Sequence, residues 1–399
     1  MRLLFVHNIR LYKDNRGQIY THSSYNEKVW KRYLSISNKF TIISRKTNAI
    51  YSETEAKQQF ERFDTNRISY IETENIHRSL VSYINPSARI KNNKIIKEAV
   101  QKHDYIIVRL PSYYGYQAIK YAKLYEKPYL IEVVACPWDT LTHHGIKGKL
   151  LAPKAYLKLK KVAKKAPYVV YVTNHFLQNR YPTKGFNIGC SDVLLKDLNK
   201  EVLSRRISKI SNENNKRKIV IGTTAAVDVR YKGQQYIIEA LGQLKAKGLT
   251  NFEYQLVGAG DQTYLKNLAK KYKVYDQIKF LGQLTHDKVF EWLETIDIYA
   301  QPSKTEGLPR ALIEAMSLGI PAIGSNAGGI PELLEDEYIF SKTRNSINEI
   351  CDILLSFNNQ NLTEQAKRNF NHAKRYHRDI IENRRNEFYR KFIKSIDNI

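Results

Sequence analysis

Residues Gln301–Glu335 read QPSKTEGLPRALIEAMSLGIPAIGSNAGGIPELLE. Just ahead, Asp297–Ala300 is a short apolar run that reads as a buried strand ending at Pro302. A loop follows, then a predicted helix over Pro309–Leu318, with proline suited to a first helical turn. Glu306 stands in the loop, and Glu314 lies eight positions on, about two turns into the helix. Loop amides and the positive helix end suit phosphate oxygens. A carboxylate on each side of that point suits sugar hydroxyls. The pattern therefore fits a ligand with hydroxyl-rich rings flanking a diphosphate, a nucleotide sugar.

Working outward, the chain alternates short β-rich runs with helical patterns. Leu3–His7, Phe40–Ser44, Tyr105–Arg109, Tyr129–Val134 and Tyr168–Thr173 read as strands, with helices near Tyr25–Ser35 and Tyr116–Tyr125. After a polar stretch between Lys196 and Lys218 that reads as a linker, the alternation restarts. Lys218–Gly222, Phe252–Val257, Ile278–Leu281 and Pro321–Gly324 are strands, and Ile347–Ile399 is helical with a break near Tyr376–His377. Such alternation predicts α/β domains with parallel sheets covered on both faces. In these folds ligands bind at the carboxyl edges of the strands.

The composition narrows the partners. The 399 residues hold 65 Lys and Arg against 39 Asp and Glu, a net charge of +26 with histidine neutral. Anionic partners follow: nucleic acid, an anionic membrane surface or phosphate-bearing small molecules. Between Leu141 and Pro167 lie Lys147, Lys149, Lys154, Lys158, Lys160, Lys161, Lys164 and Lys165, with no acidic residue. Ala155, Leu159, Val162 and Ala163 alternate with these lysines at helical spacing, which suits a membrane interface as well as a solvated surface helix. No helix-turn-helix, zinc-finger or ribonucleoprotein pattern accompanies the charge, so nucleic acid is not expected. No apolar run is long enough to span a bilayer, and the N-terminal MRLLFVHNIR reads as a first strand rather than a signal peptide. Cys136, Cys190 and Cys351 are too scattered for a disulfide framework. The expected location is the cytoplasm, at the inner face of the cell membrane.

The string EGLPRALIEAMSLGIP, followed by GGIPE, resembles the signature of the retaining glycosyltransferases of family 4. That signature is a glutamate, seven residues, then a glutamate, within E-G-x-P-x-x-x-x-E-A-M-x-x-G-x-P. IGTTAAVDVRYKG with Gly222, Lys232 and Gly233, VGAG at Val257–Gly260, and FLG at Phe280–Gly282 agree in order and spacing. The resemblance covers residues 217–335 and, more loosely, the first half. It implies the GT-B fold: two Rossmann-like, doubly wound parallel-sheet domains facing a central cleft. Residues 1–200 would be the acceptor domain and 201–378 the nucleotide-sugar donor domain, with a helix at about 379–399 packing back on the first.

By the same resemblance, Glu314 would bind the ribose hydroxyls and Glu306 the donor sugar ring. Lys232, helped by Arg230, would neutralise the diphosphate. Gly307 and Leu308 would offer backbone contacts, Gly328 and Gly329 would close the phosphate pocket, and Gly222, Gly258 and Gly282 would shape the donor site. Gly17, in DNRG (Asp14–Gly17), would stand in the loop covering the donor phosphates, where the family often has paired glycines. Arg109 occupies the place of a sugar-contacting histidine, and Thr223 stands where many members have an arginine. Glu132, Asp139, His143 and His144 cluster where the first domain should face the cleft, and a histidine there would contact acceptor or donor phosphate. Trp138 suits either a sugar face or the core.

There is no Asp-x-Asp motif; Glu335–Glu337 is the nearest acidic cluster. The expected activity is metal-independent, with no cofactor besides a donor such as a UDP- or GDP-sugar, and a glycan or lipid-linked acceptor. No P-loop is present, and GAGDQT departs from the dinucleotide fingerprint. Two other readings remain open: a non-catalytic sugar- or nucleotide-binding protein of the same fold, and a basic nucleic-acid-binding protein.

Overall fold

A computed structural model describes the chain except residues 23–24, 77–84, 144, 196–197, 213–217 and 398–399. Two mainly parallel sheets organise it. In the first, β1 (Arg2–Asp14), β3 (Lys39–Arg45), β6 (Ile68–Thr73), β7 (Tyr105–Leu110), β8 (Tyr129–Val133), β9 (Tyr168–Tyr171) and β10 (Phe186–Gly189) run parallel in the order β6-β3-β1-β7-β8-β9-β10. Every residue of β7, β8 and β9 is buried, as expected for strands covered on both faces. The second sheet holds β11 (Ile219–Thr224), β12 (Phe252–Val257), β13 (Ile278–Gly282), β14 (Ile298–Gln301), β15 (Ala322–Ser325) and β16 (Ile339–Phe340). Its order is β13-β12-β11-β14-β15-β16, all parallel.

Strand order reverses between β1 and β7 in the first sheet and between β11 and β14 in the second. Such switch points open a crevice beyond the carboxyl ends of the strands. The cleft residues described below come from these ends.

The first strand is longer than its apolar run. β1 continues to Asp14 after a register shift between Val6 and Ile9, and its far half pairs with β2 (Ile19–Thr21) and β4 (Ile50–Tyr51). β2 in turn pairs antiparallel with β5 (Glu61–Arg62). DNRG therefore caps a hairpin. Asp14 there accepts from the Arg16 and Gln18 amides and from the Tyr20 hydroxyl.

The polar stretch read as a linker carries a helix, Lys200–Ser211. Its Arg206 donates to the carbonyls of Leu293, Glu294 and Ile296, and its Lys209 pairs with Asp297 at 2.5 Å. The helix thus packs on the second lobe. Polar and basic side chains that serve as carbonyl donors made it look unstructured.

The C-terminal helix, Arg378–Asp397, returns to the first lobe. Phe392 meets the rings of Tyr105 and Tyr168. Arg385, buried, donates to the carbonyls of Cys190 and Ser191, and Tyr389 donates to Glu132. Glu132 also accepts from Tyr33 at 3.0 Å and lies 3.5 Å from Arg109. Arg109 and Arg385 both reach Asp192 as well. Glu132 was expected to face the cleft; it is instead the counter-charge of a buried arginine cluster. The Arg109 charge, with help from Arg385, holds its carboxyl below the usual range against the effect of burial. Removing one partner of a buried ion pair strands the other. Glu132→Gln is expected to destabilise the fold by about 3–5 kcal/mol, read as a lower urea midpoint at unchanged slope.

Candidate active site

Two loops at the carboxyl edge of the second sheet build the centre of the site. One follows β14 and the other follows β11. Gly233 has φ +82°, and a Cβ there would lie 1.9 Å from the Pro302 carbonyl oxygen, so only glycine lets the loops meet. Lys304 N donates to the Tyr231 carbonyl at 2.7 Å, fixing the same approach. The stitched loops bring Lys232 Nζ to Glu306 Oε1 at 2.7 Å. Gln301 Nε2 holds the same oxygen at 3.3 Å. The two residues expected to grip the diphosphate and the sugar are therefore ion-paired with each other, both largely shielded from solvent.

Gly307 lies where the lobes touch. A Cβ there would fall 2.5 Å from the Val134 carbonyl oxygen of the first lobe. Gly329 N donates to the Gly307 carbonyl at 2.7 Å, and Gly328 lies against the Glu306 carbonyl. The GGIPE turn thus braces the Glu306–Gly307 backbone from behind. Glu332, in the same turn, reaches into the first lobe. Its carboxylate accepts from the amides of Asn174, His175 and Phe176 at 2.7, 3.1 and 2.7 Å.

A cavity of about 360 Å³ opens between the lobes. Glu306, Gly307, Leu308 and Arg310 line it from the second lobe; His7, Tyr25, Arg109 and Asp192 line it from the first. Arg109 therefore stands in the cleft as the sequence placed it, though its guanidinium is bound to Asp192 and Glu132. His7 follows the register shift in β1, a device that re-aims side chains. Its Nδ1 meets the Tyr25 hydroxyl at 2.5 Å. Burial, with the Arg109 and Arg45 charges, pushes the imidazole well below its usual pKa, so it is neutral at pH 7.

Glu314 lies on the helix Arg310–Ser317, with His286 Nε2 at 3.8 Å. Tyr299, buried beneath both glutamates, has its hydroxyl pKa raised by burial and further by the Glu314 and Glu306 charges. Gly258 N donates to the Gly282 carbonyl at 2.8 Å, joining the ends of β12 and β13 at the sheet edge. His143 reaches across from the first lobe, its ring stacked on Tyr231 at 6.4 Å between centroids. Partial burial and then the Lys304 charge lower its pKa. His144 lies outside the described residues.

Several expectations change. Gly17 is the hairpin-tip residue, φ +81°, and is not part of the cavity lining. The chain entering the helix Glu27–Leu34 brings Tyr25 to the cavity instead. Gly222 is inside β11, packed on Trp292 and Ile296, and shapes the core rather than a turn. Thr223 is buried and donates to the Ala300 carbonyl at 2.7 Å. Arg230 stacks over the Tyr264 ring at 4.2 Å and does not line the cavity. Asp139 is paired with Arg180 at 2.8 Å, and Trp138 packs edge-on against Tyr156. His7, Tyr25, Asp192, Arg310 and Glu332 went unremarked in sequence. Arg310 and Glu332 lie within strings that were read, whereas Asp192 carries no local signal.

Two α/β lobes, with a lysine–glutamate pair at the sheet edge of the second beside the cavity and a signature helix, fit the two-lobed sugar-transferring class. Residues 203–375 match the family described as "Glycosyl transferases group 1". Protein CapJ of Staphylococcus aureus is 35% identical over 352 residues, 85% of this chain and 82% of that protein. The amylovoran biosynthesis glycosyltransferase AmsK of Erwinia amylovora is 38% identical over 111 residues, 26% of this chain and 27% of that protein. Among solved structures, Anabaena HepE in complex with UDP and glucose aligns with a TM-score of 0.63 at 16% identity, covering 98% of this chain and 99% of that one. WaaG, a glycosyltransferase involved in lipopolysaccharide biosynthesis, aligns at 0.62 and 13%, covering 96% and 98%. The chain belongs to the group 1 glycosyltransferases, the retaining family 4 with the GT-B fold.

The Glu332 contact generates a test. Glu332→Ala leaves three amides of the first lobe without their carboxylate, at a site water can reach. The expected loss is about 1–2 kcal/mol, with a larger radius of gyration by small-angle scattering as the lobes part. An unchanged radius and melting temperature would refute a joining role.

Proposed function

We propose that the chain moves a sugar from a nucleoside diphosphate donor to a glycan or lipid-linked acceptor, with retention of configuration, in bacterial surface polysaccharide assembly. The single observation carrying this reading is the Lys232–Glu306 pair at 2.7 Å, within the family signature and beside the interlobe cavity. The chain divides at about residue 200 into an acceptor lobe and a donor lobe. AmsK, whose name states amylovoran biosynthesis, supports the pathway class.

In this reading Glu314 accepts the ribose hydroxyls and Glu306 the sugar hydroxyls. Lys232 turns from Glu306 to the diphosphate as negative charge grows there, which stabilises the transition state more than the ground state. The bond from the anomeric carbon to the phosphate oxygen breaks on the face where the acceptor hydroxyl arrives. That hydroxyl forms the new glycosidic bond and gives its proton to a departing phosphate oxygen. His143 borders the acceptor side. The leaving group is neutralised by side-chain cations, without a metal.

A thermal-shift panel of UDP-, GDP-, ADP- and CMP-sugars tests the reading. The right donor at a hundredfold over its Kd should add about 2.7 kcal/mol of stability, and Glu314→Ala should remove that shift. Failure of every nucleotide to raise the melting temperature would sink it.

The helix Gly145–Lys164 supports docking on an anionic membrane. Gly148, Ala152, Leu159 and Ala163 face the core. On the opposite side Ile146, Leu150 and Leu157 are exposed by 78%, 76% and 62%. Lys154, Lys161 and Lys164 share this outer side at helical spacing. Apolar residues flanked by lysines suit an interface with anionic headgroups, and no helix among the described residues is long and apolar enough to cross a membrane. Co-sedimentation should favour phosphatidylglycerol vesicles over phosphatidylcholine ones. Leu150→Glu should weaken it on the order of 10-fold, the equivalent of about 1.4 kcal/mol; equal binding to both vesicles would refute docking.

A further inference from the structure

We infer that Arg310 is the second cation of the donor site, binding the diphosphate of the nucleotide sugar together with Lys232. The inference rests on the proposed donor site and goes beyond it, because nothing in the signature requires an arginine at this position.

The charges in and beside the cavity leave one cation over. Lys232 is matched by Glu306, and Arg109 by Asp192 and Glu132. Arg310 lines the same cavity, and among the described residues no ion pair holds it. Arg230, the residue the sequence suggested for this task, is held over the Tyr264 ring.

Helix geometry sets what Arg310 can reach. It opens the helix Arg310–Ser317, and Glu314 follows four positions later. Residues at that spacing share one helix face, separated by about 6 Å along the axis. If Glu314 holds the ribose, the next group toward the helix start and the Glu306 loop is the diphosphate. Arg310 projects from the helix at that end. A guanidinium presents a fork of donors that can take two phosphate oxygens at once. It faces chain from the first lobe as well: its charge helps keep His22 neutral, after burial. Donor diphosphate held by Arg310 would therefore lie between the lobes, with Lys232 on its other side.

Inorganic pyrophosphate is the probe, titrated calorimetrically into the full chain, with the melting temperature of each variant as the check on folding. Wild type should bind it. Arg310→Gln should bind about 10-fold more weakly, and Arg310→Lys should recover part of the loss, since it keeps the charge without the fork. Glu314→Ala should keep pyrophosphate binding while losing nucleotide binding. If Arg310→Gln binds pyrophosphate as wild type does while Lys232→Met does not, the assignment to Arg310 fails and the proposed function stands. If Arg230→Gln shows the loss and Arg310→Gln does not, the assignment also fails. No binding by the wild type would overturn it together with the diphosphate site.

Discussion

The ion pair between Lys232 and Glu306 is the constraint on which the site depends. Neither side chain reaches the other by local structure; they lie 74 residues apart. Their meeting requires the β11 and β14 loops to touch, and that contact requires a residue without a Cβ at Gly233. It also requires β11 and β14 to be neighbours, which the strand order supplies. The strand order of the second sheet thus brings one cation to one carboxylate.

The pair also prepares the site for its ligand. Two charges shielded from water are costly unless each has a partner. In the free protein they satisfy one another, and Gln301 steadies the carboxylate. On the proposed function, a nucleotide sugar offers both an exchange: phosphate for the lysine and hydroxyls for the glutamate. Much of the desolvation needed for binding is then already complete in the folded chain, and the side chains are held near their working positions. This is the preorganisation by which fixed charges act on a developing one.

Much of this was legible in sequence because it is written locally. The strands of both sheets appear as compact apolar runs, and the helix bearing Glu314 appears between two of them. Lys232, Gly233 and Glu306 could be named because each sits in a short recognisable string. The failures share a cause, which is that their partners are distant in the chain. Glu132 looked like a cleft carboxylate, but its environment is set by Arg109 and by Tyr389, 257 residues away. Gly222 looked like a turn glycine because nothing local announces Trp292 packing over it. The β1 hairpin was missed because Tyr12, Lys13 and Asp14 are paired through the backbone, which polar side chains do not reveal. The helix Lys200–Ser211 was hidden for a related reason: Arg206 and Lys209 serve carbonyls of the second lobe.

The two lobes are joined by contacts of different character, and this bears on how a ligand could enter. Near the cavity Gly307 lies against the Val134 carbonyl and the Val172 side chain, and His143 reaches across to the Tyr231 ring. Beyond it, Glu332 grips three amides of the first lobe through charge-assisted hydrogen bonds. The returning helix Arg378–Asp397 anchors itself in the first lobe by a fully buried arginine, which reaches Asp192 in the cavity wall, and by aromatic packing. The Glu332 carboxylate, at an exposed site, can exchange its amides for water. The buried Arg385 cannot be exposed so cheaply, since it would leave Glu132 and Asp192 without a counter-charge. Of these contacts, the Glu332 one is therefore cheaper to break than the anchor of the returning helix.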